Sequence, residues 1–142
     1  MPKQFPPEDI RNRTFKFSIR VVRLCQHLDE KPGVSRLLSR QLLRSGTSIG
    51  ANIEEAQAAQ SKADFISKNS IALKEARETL YWIRLLIASE IVQESKILEL
   101  KAEAEEIAKV VGAIVVSTRR NALKAIVSAI IFPFSFLIFN LK

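Results

Sequence analysis

A chain of 142 residues that is 47% hydrophobic has room for one buried core and is too apolar to be a disordered segment. Only 4 Gly and 5 Pro, beside abundant Ala, Leu, Glu, Lys and Arg, argue against β-rich or loop-rich architectures and for an all-α protein, while the lone Cys25 excludes an internal disulfide framework. The net charge of +7 is uneven, +6 over residues 1–50, −3 over 51–112 and +4 over 113–142, which points to an anionic partner for the basic parts.

The first nine residues, MPKQFPPED, hold no apolar signal core, so a reducing, cytoplasmic setting is expected. Asp9 or Pro7 opens a helix over about residues 9–30. Ile10, Thr14, Phe17, Val21, Leu24 and Leu28 form its apolar stripe, which ends at the Lys31-Pro32-Gly33 break. Arg13, Lys16, Arg20, Arg23 and His27 form a second stripe about 100° round the helix. Phe15, Ile19 and Val22 occupy a third sector and are surplus to a single core face, so they either widen the core or meet another subunit.

Residues 41–55, QLLRSGTSIGANIEE, carry glycines and hydroxyls that superficially suggest a phosphate loop. A P-loop needs Lys-Ser/Thr directly after its last Gly, whereas Gly50 is followed by Ala51-Asn52. Leu38, Leu42, Ser45, Ile49, Asn52 and Ala56 instead recur at the spacing of one face of a helix over about residues 34–60. Gly46 and Gly50 lie at the edge of that face, where each costs the helix about 1 kcal/mol relative to Ala. Close approach of a neighbouring helix is the expected compensation. Arg36, Arg40 and Arg44 fall nearly opposite the apolar face and point to solvent or a partner.

Ser61-x-x-Asp64 resembles a capping box and starts a third helix, about residues 62–88, after a very short turn. Phe65, Asn69, Ala72, Ala76, Leu80, Ile83 and Ile87 fall within an arc of about 80°. Asn69 in that seam demands a hydrogen-bond partner. Trp82, Leu85 and Leu86 fall largely outside the arc, and Trp82 and Leu85 join Phe15, Ile19 and Val22 as candidate contacts between subunits. The fourth helix, about residues 94–120, buries Ile97, Leu100, Ala104, Ile107, Val111, Ile114 and Thr118. Glu99, Glu103, Glu105 and Glu106 make its first half acidic, as the helix macrodipole favours.

The chain thus divides into an antiparallel up-down-up-down four-helix bundle over residues 1–121 and an apolar tail over residues 122–142. Residues 122–139 include 14 apolar side chains, interrupted by Lys124, Ser128, Pro133 and Ser135. Pro133 counts against a spanning helix, so a membrane partner is not expected and the tail is read as packing on the bundle or a neighbour, or as poorly ordered.

No catalytic set assembles, and neither a cofactor nor a metal is expected. Di-iron bundles need Glu-x-x-His pairs, and the residue three before His27, the only histidine, is Leu24. Cys25 and His27 are two apart, on different sides of a helix. Glu54, Glu55, Glu75 and Glu78 could hold a cation if they converged, but beside so many arginines they are read as ion-pair partners.

Residues 39–56, SRQLLRSGTSIGANIEEA, and 63–86, ADFISKNSIALKEARETLYWIRLL, strongly resemble the four-helix-bundle proteins encoded by intervening sequences in bacterial 23S rRNA genes. FKFSIRVVRL at residues 15–24 and IAKVVGAIVVSTRR at 107–120 fit the same pattern, and the tail does not belong to it. The family is more remotely similar to accessory proteins of diversity-generating retroelements, which form basic, barrel-like pentamers that bind nucleic acid and a reverse transcriptase. The resemblance implies a non-enzymatic homo-oligomer, a pentamer, that binds RNA or DNA by its backbone as an accessory to a reverse transcriptase or to rRNA. Arg13, Lys16, Arg20, Arg23, Arg36, Arg40 and Arg44 are its candidate contacts. The alternative is a protein–protein adaptor or structural bundle whose arginines serve solubility.

Overall fold

The computed structural model describes residues 9–139, with side chains described through residue 131. It contains α1 (Ile10–Asp29), α2 (Val34–Gln57), α3 (Lys62–Ala88) and α4 (Glu94–Phe139), and no strand among the described residues. Local chemistry sets each start. Asp9 accepts the Arg11 N–H at 3.2 Å, whereas Pro7, the other expected start, lies outside the described residues. Ser61 accepts the Asp64 N–H at 3.1 Å, and Asp64 answers by accepting the Gln60 N–H at 3.2 Å. Between α1 and α2, Gly33 takes φ +93°, a left-handed conformation suited to glycine. The same turn is closed by Ser35 Oγ donating to the Leu28 carbonyl at 3.1 Å and Arg36 Nη2 to that of Asp29 at 2.9 Å.

Cross-links between helices fix the topology as up-down-up-down. Arg11 near the start of α1 pairs with Glu54 near the end of α2 at 3.2 Å, while Arg36 at the start of α2 pairs with Asp29 at the end of α1 at 3.3 Å. Glu55 late in α2 pairs with Lys68 early in α3, and Arg44 nearer the middle pairs with Glu75 and Glu78. Arg119 of α4 donates to Ser70 Oγ early in α3 at 3.3 Å. Arg13 and Arg20 climb α1 while their partners Glu103 and Glu99 descend α4, at 2.6 and 3.8 Å.

The core runs the length of the bundle through Phe17, Val21 and Leu28 of α1, Leu42, Ile49 and Ile53 of α2, Ala72, Ala76 and Ile83 of α3, and Ile97, Ile107 and Val111 of α4. Gly46 and Gly50 are packed against α1, as the helical reading of residues 41–55 expects. A Cβ on Gly46 would stand 2.8 Å from Val21 Cγ1, and one on Gly50 3.2 Å from Ser18 Oγ and 3.4 Å from the Thr14 carbonyl oxygen. Asn69 is buried and satisfied, its Nδ2 donating to the Phe65 carbonyl at 2.9 Å.

The seam of α3 departs from the expected one in its second half. Thr79 and Leu86 are fully buried, whereas Leu80 and Ile87 are half-buried. Placing Leu86 outside the core arc was therefore wrong. The inner face turns towards α2, where the Ser45 and Thr79 hydroxyls lie 3.0 Å apart and Thr79 also bonds the Glu75 carbonyl at 2.8 Å. Likewise Val115, not Ile114, ends the buried row of α4. α2 stops at Gln57, three residues short of the expected end, and α4 continues past Arg119-Arg120 to Phe139.

Candidate nucleic-acid interface

The seven basic residues singled out in the sequence occupy different settings. Arg13 Nε and Nη2 donate to the two carboxylate oxygens of Glu103 at 2.6 and 2.9 Å, a bidentate pair with both side chains largely covered. Arg20 lies 3.8 Å from Glu99. Much of the α1 basic stripe thus faces the acidic first half of α4. Arg36 is held at the α1–α2 turn by Asp29, and Arg44 leans across to Glu75 and Glu78 on α3. Arg23 and Arg40 are exposed and make no ion pair among the described residues, and Lys16 is exposed. The seven do not converge on one surface.

A different set does share a face. On α3, Lys74, Arg77, Tyr81 and Arg84 recur at intervals of three and four, within an arc of about 80°. All four are exposed, and the three cations make no ion pair among the described residues. Arg119, on Ser70 one turn earlier, extends the line, which from Ser70 to Arg84 is about 20 Å long. Tyr81 is 54% exposed and meets Trp82 edge-on, ring centroids 4.9 Å apart. Segment-wise charge counting concealed this stripe, because Glu75, Glu78 and the α4 glutamates give residues 51–112 a negative balance. The signal that reveals it is the spacing of the α3 cations with a tyrosine between them.

The carboxylates are committed elsewhere. Glu54 pairs with Arg11, Glu55 with Lys68, and Glu75 and Glu78 with Arg44. Hydrogen bonds from Arg44 and then from Trp82, whose Nε1 donates at 3.0 Å, hold the Glu78 carboxyl below the usual carboxylate range. Among the described residues no group of three His, Cys, Asp or Glu is placed to hold a metal ion. His27 is exposed beside Glu30, and Cys25 is buried with its Sγ 3.3 Å from the Ser39 carbonyl oxygen. Burial pushes the Cys25 thiol up to about 12, so it is a poor nucleophile.

Of the candidate subunit contacts, Phe15 is 63% exposed, Ile19 and Val22 are more than a third exposed, and Trp82 and Leu85 are half-buried. The first three line the outer side of the α1–α2 pair. Trp82 packs against the core from the α3 side.

Fold and surface together define a four-helix bundle whose distinctive chemistry lies on its outer faces. The family model described as 23S rRNA-intervening sequence protein matches residues 8–113, and the chain belongs to that family. The crystal structure of a protein of unknown function from the S23 ribosomal protein family of Bacteroides thetaiotaomicron is similar, at 43% identity and a TM-score of 0.70. The match covers 75% of this chain and 98% of that one. No curated protein matches the chain.

Proposed function

We propose that this protein is a non-enzymatic, nucleic-acid-associated bundle that binds a phosphate backbone through the α3 stripe of Lys74, Arg77 and Arg84. The observation that carries the reading is three exposed cations in register, none committed to a carboxylate among the described residues. Tyr81 between them offers one ring for a base to stack on. Arg23, Arg40 and Lys16 are secondary contacts. Arg13, bound bidentately to Glu103, contributes mainly to packing α1 on α4. Phosphate contacts without a base-reading element give weak sequence selectivity and a steep salt dependence. The family description ties these proteins to 23S rRNA, so RNA in the cytoplasm is the first ligand to test. A role as accessory to a reverse transcriptase or to rRNA rests on the resemblance alone.

Self-association belongs to the same proposal. A homo-oligomer, pentameric by the resemblance, covers Phe15, Ile19 and Val22 and repeats the α3 stripe around a ring. A protein–protein adaptor is the second reading, favoured by the same exposed apolar residues. Titrating labelled RNA and duplex DNA at several salt concentrations separates the two. Lys74→Gln/Arg77→Gln/Arg84→Gln should weaken binding and lower the duplex salt slope by about 3, close to one unit per lost phosphate contact. Arg13→Gln should leave that slope nearly unchanged. Absence of binding at low salt, or a triple variant with the parent slope, refutes the nucleic-acid reading.

A further inference from the structure

The end of α4 is explained neither by the core nor by the basic stripe. Arg119 is level with Ser70, so α4 draws past the start of α3 about two turns later and continues to Phe139. Along this last described stretch, Leu123, Ile126, Val127 and Ile130 are 63, 57, 45 and 63% exposed. They share one stripe at three-and-four spacing, with Lys124 beside it and Ser128 nearly opposite. Residues 123–131 are exposed throughout, and the family match ends at residue 113.

Charge indicates what covers it. From residue 107 to 142 the sequence has no Asp or Glu, and its basic residues include Arg119, Arg120 and Lys124 just ahead of the apolar run. Residues 125–141 then hold no charge for 17 positions, followed by Lys142. A lipid surface suits both parts: basic residues meet anionic headgroups while an apolar helix face enters the acyl boundary. Lys124 can lay its stem along the stripe and keep its ammonium at the headgroups. Among the described residues no helix is long and apolar enough to cross a membrane. We propose that the exposed stripe of Leu123, Ile126, Val127 and Ile130 enters the surface of an anionic lipid bilayer, with Arg119, Arg120 and Lys124 at the headgroups, and holds the bundle there.

Flotation of the nuclease-treated full chain tests this, with mixed phosphatidylcholine–phosphatidylglycerol vesicles, with pure phosphatidylcholine vesicles, and with light-scattering mass measured in parallel. The parent chain should float with the mixed vesicles. Ile126→Glu/Ile130→Glu, which touches no core residue and should keep the parent circular dichroism, should abolish flotation. Arg119→Gln/Arg120→Gln/Lys124→Gln should reduce partition onto the mixed vesicles by about tenfold or more and leave the neutral ones unaffected. Failure of the parent to float overturns the proposal, as does flotation undiminished by the glutamates. Absence of flotation combined with a drop in mass for Ile126→Glu/Ile130→Glu would identify a second copy as the occupant and equally overturn it.

Discussion

Gly46→Ala sets helix propensity against packing. In an open helix the change stabilises by about 1 kcal/mol. At this position the new Cβ would stand 2.8 and 3.0 Å from the two methyls of Val21, which is completely buried. A valine in a helix has one strongly preferred rotamer, so neither methyl can swing aside, and α1 and α2 must separate by several tenths of an ångström. Overpacking of this kind costs about 1–3 kcal/mol, so we expect a net loss of about 1 kcal/mol and a Tm lower by about 2–5 °C. Gly112 supplies the control. Its Cβ would be 3.9 Å from the nearest Leu73 carbons, an ordinary contact, so Gly112→Ala should raise stability by up to about 1 kcal/mol. Urea unfolding of Gly46→Ala, Val21→Ala and the double variant should reveal a coupling of about 1 kcal/mol or more, because the added methyl fills the space the valine vacates. A Gly46→Ala protein as stabilised as Gly112→Ala, or an additive cycle, would refute the close-packing argument.

Gly50→Leu should cost at least the upper end of the overpacking range, about 3 kcal/mol, since the Thr14 backbone, which cannot rotate away, is among its neighbours; a neutral Tm would contradict this. Thr79→Val removes a buried hydroxyl shared with Ser45 and the Glu75 carbonyl and should lower stability in urea by about 1–2 kcal/mol. Glu78 has a depressed folded pKa, so its stabilising pair with Arg44 is complete at neutral pH, declines below the ordinary carboxylate value and vanishes once pH falls beneath the folded one. The Tm gap between the parent and Glu78→Gln, small for so exposed a pair, should therefore close on acidification, and a gap that persists in acid would show that charge is not its source. Cys25 should resist a disulfide reagent at mildly alkaline pH until urea opens the bundle; fast labelling of the native protein would contradict its burial.

The bundle was legible because helix periodicity is a property of single segments. Phe17, Val21 and Leu28 or Ile97, Ala104, Ile107 and Val111 need only their own spacing to declare an inner face. The α3 seam was legible in its first half for the same reason, through Asn69, Ala72 and Ala76. Its second half was not, because two neighbouring arcs offered comparable apolar content, Leu80 and Ile87 against Thr79 and Leu86. A threonine reads as polar until a partner such as Ser45 is known, and that partner sits on another helix. The Thr79–Ser45 hydrogen bond accompanies the turned face, and no window within α3 contains that partner.

Charge is harder to read for a related reason. Arg13 and Arg77 look alike in the sequence, each an arginine three or four residues from other cations on an exposed sector. What separates them is the opposing helix: α4 sets Glu103 against Arg13, whereas the outer face of α3 has no helix across from it. Net charge by segment therefore hides the α3 stripe, because it credits α1 with arginines that pair with α4 and debits α3 for glutamates that face α2. Counting each cation only after subtracting carboxylates on the helix that topology places beside it brings out Lys74, Arg77 and Arg84 as unpaired among the described residues. In an up-down-up-down bundle that correction is available from the order of the helices alone. Each helix meets its two ring neighbours antiparallel, so the face pointing away from both is the one whose cations remain available to a partner.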